Sequence, residues 1–180
     1  RILEQADCNS FIEIEQFEDY SDDNFIIQVK YKEKTAYSNS SIKKPICQLI
    51  ELFKTDKRTP VLYAYFNNRD EDEKQLNMDQ LDAIIGDCKV KNKQYNFTFE
   101  LKKEFISKFI LIFTSKYQVQ LEKVIEKIMQ EVKCNEDEAL IYYAQMYKYI
   151  ENKVVDNSPE NKSKRICSKN ELIELVKKNK

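Results

Sequence analysis

The chain has 180 residues, 42% hydrophobic and 34% charged, with a formal net charge of −1, enough apolar content to bury a core. One glycine, Gly86, and three prolines exclude a glycine-rich phosphate loop, a dinucleotide-binding fingerprint and an all-β architecture built on tight turns. The absence of histidine removes imidazole triads, histidine-ligated zinc and histidine acid–base catalysis, so carboxylates, lysine or cysteine must carry any chemistry.

The opening Arg1-Ile2-Leu3 has no initiating Met and reads as the middle of an element, so the chain is expected to be a fragment or to lack its first residues. Residues 10–17 alternate, with Ile12 and Ile14 on one face and Phe11, Glu13, Glu15 and Phe17 on the other. Residues 25–31 alternate likewise, and both segments are predicted to be strands. The turn-forming run Asp19-Tyr20-Ser21-Asp22-Asp23-Asn24 makes them an antiparallel hairpin. With a two-residue loop at Ser21-Asp22, Glu13 lies across from Lys30 and Glu15 across from Gln28, while Ile12, Ile14, Ile27 and Val29 share the buried face.

Further on, Ser38-Asn39-Ser40-Ser41 offers caps to a helix reaching residue 54, with Pro45 early in it and Ile46, Leu49, Ile50 and Phe53 as its apolar stripe. Residues 60–66 are a compact β-prone run, so the order strand, strand, helix, strand favours a mixed α/β sheet. Residues 67–75 read as a charged loop, 77–88 as a short helix with Leu81, Ile84 and Ile85 inward, and 95–101 as an edge strand. From Lys102 onward, amphipathic helices over 104–116, 119–133 and 136–153 predict a small helical bundle. Residues 156–164 read as a loop, and Ser168-Lys169-Asn170-Glu171 reads as a capping box opening a final helix. The expected organisation is an α/β domain over 1–101 and a helical extension over 102–180.

The five cysteines (Cys8, Cys47, Cys88, Cys134 and Cys167) are scattered and never spaced CxxC, which fits ordinary thiols in a reducing cytoplasm better than a disulfide framework. No apolar run reaches the length of a membrane span, and no signal peptide is visible. Basic clusters at 43–44, 54–58 and 89–93 read either as phosphate contacts or as solvated helix ends. The tyrosines Tyr142, Tyr143, Tyr147 and Tyr149 read as helical core and rim rather than as a base-stacking platform.

One constellation points to chemistry. Phosphodiester hydrolysis needs a metal to polarise a phosphoryl oxygen and a cation to offset the charge that grows as phosphorus becomes pentacoordinate. Glu13 and Glu15 are candidate carboxylate ligands, Gln28 a neutral oxygen ligand for a hard cation, and Lys30 the cationic group. The competing reading is a solvated hairpin whose Glu–Lys pairs favour the register by roughly 0.2–1 kcal/mol each.

The run Asn24-Phe25-Ile26-Ile27-Gln28-Val29-Lys30-Tyr31-Lys32-Glu33, preceded by an acidic strand and followed by Ser40-Ser41-Ile42-Lys43-Lys44-Pro45-Ile46, resembles the PD-(D/E)xK nuclease superfamily. It is most similar to the branch with Gln in place of the second acid, as in Mrr-like enzymes and the double-stranded-DNA nuclease domains of bacterial anti-phage effectors. The closing Arg165-Ile166-Cys167-Ser168-Lys169-Asn170-Glu171-Leu172-Ile173-Glu174-Leu175 resembles the segment that ends such domains. The resemblance implies a restriction-endonuclease-like core followed by a C-terminal helical bundle, and a cytoplasmic endonuclease using Mg2+ or Mn2+ on double-stranded DNA. It makes Gln28 and Lys30 the second half of the site and leaves the first acid open among Glu13, Glu15 and Asp7, in Glu4-Gln5-Ala6-Asp7. The superfamily's preceding helix is not in this sequence. An effector of this kind implies a sensor or ATPase domain or subunit outside the fragment, no membrane, and room for a homo-oligomer. The alternatives are a catalytically inactive nuclease-like domain and a helical protein-interaction module.

Overall fold

The computed structural model describes residues 2–4, 7, 11–14, 19–90, 92–155 and 165–178. In chain order the strands are β1 (Phe11–Ile14), β2 (Tyr20–Ser21), β3 (Phe25–Lys32), β4 (Thr59–Phe66), β5 (Asp72–Lys74), β6 (Lys89–Val90), β7 (Lys93–Gln94), β8 (Ile110–Phe113) and β9 (Ile166–Ser168). The helices are α1 (Asn39–Phe53), α2 (Met78–Ile85), α3 (Phe99–Lys108), α4 (Tyr117–Val132), α5 (Glu136–Val155) and α6 (Lys169–Lys177). The fold is α/β, and it divides into two compact units, Asn24–Lys116 and Arg1–Asp23 with Tyr117–Lys180.

In the unit Asn24–Lys116 four strands lie side by side in the order β5, β8, β4, β3, and β6 pairs antiparallel with β7. β3, β4 and β8 run parallel, and β5 closes the edge antiparallel to β8. Parallel neighbours need a crossover, and α1 supplies the one between β3 and β4. Its stripe of Ile42, Ile46, Leu49, Ile50 and Phe53 packs on Ile26 of β3 and on Leu62, Ala64 and Phe66 of β4. Leu81 and Ile85 from α2 and Phe105 from α3 complete that core. Helix starts are held by short polar side chains, as at Asn77, whose Oδ1 accepts from the Gln80 N–H at 2.9 Å while Gln80 Oε1 accepts from the Asn77 N–H at 2.9 Å.

Three expectations in this unit are corrected. Residues 95–101 do not form an edge strand: Thr98 Oγ1 accepts from the Leu101 N–H at 3.2 Å and caps α3, so the helix starts at Phe99. The helix expected over 104–116 stops at Lys108, and Ile110-Leu111-Ile112-Phe113 is strand β8, whose backbone pairs with β4. The charged stretch 67–75 contains β5, paired with β8.

In the other unit, β1 has β2 on one side and β9 on the other, both antiparallel. The hairpin expected between residues 10–17 and 25–31 is therefore corrected. Tyr20 and Ser21, read as turn, are themselves a strand, and Glu13 stands opposite Ser21 and Ile166, so both edges of β1 at Glu13 are occupied. Strand β3 takes β4 as its in-register partner, and Val29, expected on a buried face, is 46% exposed. The core of this unit joins Ile125, Ile128 and Val132 of α4, Ala139, Tyr142 and Met146 of α5, and Cys167, Leu172 and Val176. Tyr142 thus belongs to the core, as the helical periodicity implies. The capping box of α6 is present: Ser168 Oγ accepts from the Glu171 N–H at 3.2 Å, and Glu171 Oε2 accepts from the Ser168 N–H at 2.8 Å.

Glu131 of α4 joins the buried Lys169 at 2.8 Å and Lys127 at 3.0 Å. Hydrogen bonds from Lys169 and then Lys127 hold its carboxyl below the ordinary value of 4.5. A carboxylate with a depressed folded pKa stabilises fully above its unfolded value, and that contribution is lost as pH falls through the folded one. Below about pH 4.5 the thermal midpoint of the wild type is therefore expected to drop more steeply than that of Glu131→Gln. Parallel pH profiles of the two proteins would exclude this linkage.

Candidate functional site

Gln28 and Lys30 are two residues apart on β3 and so project to the same face. Their register partners on β4 are Leu62 and Ala64, both fully buried in the core beneath α1. Register partners share a face, so Gln28 and Lys30 lie on the side of the sheet that α1 covers. Ile26, one step earlier on that face, is buried in the same core. Both Gln28 and Lys30 are half-buried.

The consequence for Gln28 is specific. Its Oε1 is buried and accepts no hydrogen bond from any described residue. A buried amide oxygen without a donor costs about 1–3 kcal/mol, because water is lost and nothing replaces it. Lys30 has no carboxylate at ion-pair distance among the described residues. Among the described residues, a neutral acceptor without a donor and a cation without a carboxylate thus share one face of one strand; a metal cation would suit the first and a phosphate oxygen the second.

The remaining candidates belong to the other compact unit. Glu13, on β1, is half-buried, and its Oε2 accepts a hydrogen bond from Ser21 Oγ at 2.9 Å. Asp7 is exposed, and Glu15 lies outside the described residues. Among the described residues no three carboxylate or thiol groups converge. Asp22, which the sequence leaves in a turn, is the acidic side chain that the described residues bury, at 8% exposure. Its neighbour Ser21 is 1% exposed, so the end of the two-residue β2 is an interior position that no periodicity could announce.

The opposite face of β3 carries Val29 and Tyr31, 46% and 38% exposed, and Tyr31 stacks on Tyr65 with ring centroids 4.8 Å apart. Several lysines and arginines read as candidate phosphate contacts are engaged within their own unit: Lys43 with Asp87 at 2.7 Å, Lys54 with Glu51 at 2.7 Å, Lys57 with Glu104 at 2.6 Å and Arg58 with Asp56 at 2.7 Å. The Arg58 guanidinium holds the Asp56 carboxyl below the usual carboxylate range. In the unit that contains β1, an apolar cavity of about 420 Å³ is lined by Ile12, Ile14, Ile128, Met146 and Ile150, with Lys123 and Lys127 also on its wall. No described helix is long and apolar enough to cross a membrane. The chain matches no protein-family model, no curated protein and no solved structure.

Proposed function

We propose that this chain is a metal-dependent DNA endonuclease domain with a restriction-endonuclease-like core and a C-terminal helical bundle. In this reading it works in the cytoplasm as the effector part of a bacterial anti-phage defence protein, held in check by a sensor or ATPase domain or subunit. The observation that carries the reading is the buried Oε1 of Gln28, without a donor among the described residues, beside Lys30 on one face of β3. A side chain kept at that cost in folding is explained by a ligand that it meets only in the working state.

Gln28 offers a neutral amide oxygen, a donor that hard cations accept. Mg2+ or Mn2+ supplies, when bound, Lewis-acid polarisation of the phosphodiester and activation of the attacking water. Lys30 places its ammonium where negative charge grows on the phosphate oxygens. Glu13, Glu15 and Asp7 are the carboxylates proposed from the sequence as the acid ligand, and Mn2+ affinity after each is amidated singly (Glu13→Gln, Glu15→Gln, Asp7→Asn) identifies it.

The test replaces Gln28 by the near-isosteric Met. Gln28→Met is expected to raise the unfolding free energy by about 1–3 kcal/mol, because the orphaned acceptor is gone. It is also expected to abolish Mn2+-dependent nicking of plasmid DNA. Retained nicking would sink the assignment, and a lower unfolding free energy would show that the amide is a structural group with a role of its own.

A second reading, a protein-interaction module, draws on α5, where Leu140, Ile141, Tyr147 and Val155 are 46%, 58%, 59% and 74% exposed. It predicts self-association that weakens on Ile141→Ser, read by sedimentation velocity.

A further inference from the structure

Cys47 and Cys88 are the two cysteines of the unit Asn24–Lys116, and both are buried, at 0% and 5% exposure. Their Sγ atoms are 2.7 Å apart across 41 residues of sequence. That is within about 1 Å of the bonding distance of a disulfide. The pair is the last of three contacts that join one face of α1 to α2 and the segment after it. Asn39 Nδ2 donates to the Ala83 carbonyl at 3.4 Å, and Lys43 Nζ donates to Asp87 Oδ1 at 2.7 Å. Positions 39, 43 and 47 are spaced by four, so they stack along a single helical face.

The backbone also commits Cys88 to this meeting. Gly86 has φ +52° and Cys88 φ +51°, so the chain leaves α2 through left-handed positions, one of them at a residue with a side chain. The Cys88 N–H donates to the Ile85 carbonyl at 2.8 Å, and the Cys88 carbonyl accepts from the Tyr95 N–H at 3.1 Å, which holds the turn on both sides.

We propose that Cys47 and Cys88 form a redox clasp, a site of reversible disulfide formation that ties α1 to the segment following α2. The oxidant is a low-molecular-weight disulfide such as glutathione disulfide. The Cys88 thiolate attacks one glutathione sulfur and expels glutathione thiolate. The Cys47 thiolate then attacks Cys88 Sγ, forms the Sγ–Sγ bond and releases the second glutathione. Two electrons pass from the cysteines to the glutathione disulfide, and the two thiol protons end on the released glutathiones. Burial pushes both thiols above their ordinary value, so exchange is slow in the folded unit and runs through opening or refolding.

The full chain, unfolded and reduced, is refolded in a mixture of reduced and oxidised glutathione. Remaining thiols are then blocked with N-ethylmaleimide, and the cross-linked peptides are mapped by mass spectrometry. Most of the protein is expected to carry a Cys47–Cys88 link, with a thermal midpoint above that of the reduced protein and restored to the reduced value by dithiothreitol. Cys47→Ala and Cys88→Ala, which keep the position small and apolar, are each expected to lose both the link and the rise. A full set of free thiols after oxidative refolding, links spread over the cysteines without preference, or a link that leaves the midpoint unchanged would each overturn the clasp.

Discussion

Lys30→Ala is expected to slow metal-dependent cleavage of plasmid DNA by about 100- to 1,000-fold, the loss typical when one charge-stabilising donor is removed from a reacting centre. The fold should tolerate the change. Lys30 is half-buried at the far end of a strand whose inner positions, Ile26 and Ile27, carry the packing, and no described carboxylate depends on it. Stability and activity are therefore predicted to separate: an unfolding midpoint close to wild type with cleavage nearly gone. Lys30→Met keeps an unbranched stem of similar length without the charge and should stay about as slow as Lys30→Ala, which a packing role for the aliphatic stem would not explain. Single-turnover nicking rates beside a urea titration give both readouts, and an unimpaired Lys30→Ala rate would remove this lysine from the chemistry.

Phe53→Ala is expected to cost about 3–5 kcal/mol, a large share of the 5–15 kcal/mol that holds a domain folded. Phe53 ends α1 at 1% exposure, and its ring meets Phe105 edge-on with centroids 5.7 Å apart. Phe105 in turn stacks on Phe109 at 4.8 Å. Lys57 Nζ lies 4.4 Å and Lys108 Nζ 5.7 Å from the Phe53 ring centroid, so truncation also removes the aromatic face that two cations use. Because α1, α3 and the strands converge there, the loss should appear as a lower midpoint with an unchanged slope in urea. Phe53→Leu, which keeps most of the volume, should cost markedly less. Equal effects from the two substitutions would mean that the site relaxes around the missing ring.

What the sequence could report depended on whether a segment's pattern was local. The Ile46, Leu49, Ile50 and Phe53 stripe, the inward Leu81, Ile84 and Ile85 and the Ser168-to-Glu171 capping box are statements about neighbours within one turn or two, and each appears where the residues put it. Ile110 to Phe113 carries four apolar residues in a row, which suit a helix or a strand equally, and only pairing with β4 decides. Phe97, Phe99 and Leu101 alternate like a strand, yet the Thr98 hydroxyl caps a helix there. Strand β2 is two residues long, too short for any period, so nothing in its residues separates it from a turn. The candidate site divides the same way. The shared face of Gln28 and Lys30 follows from their spacing, whereas the burial of Asp22 follows from a strand end that local pattern cannot display.

The chain order of the two units sets a schedule for synthesis. Asn24–Lys116 is contiguous, so every residue of that unit is available once Lys116 has left the ribosome. The other unit is split around it, and Phe11, Ile12 and Glu13 of β1 find their β9 partners only when Ile166, Cys167 and Ser168 emerge. Until then one edge of β1 is an open row of backbone donors and acceptors, and closing it means joining strands about 150 residues apart, an entropic cost that grows only slowly with the length between them. The nascent chain thus carries a finished insert between the halves of an unfinished host, and the emergence of Ile166, Cys167 and Ser168 decides when the host can close.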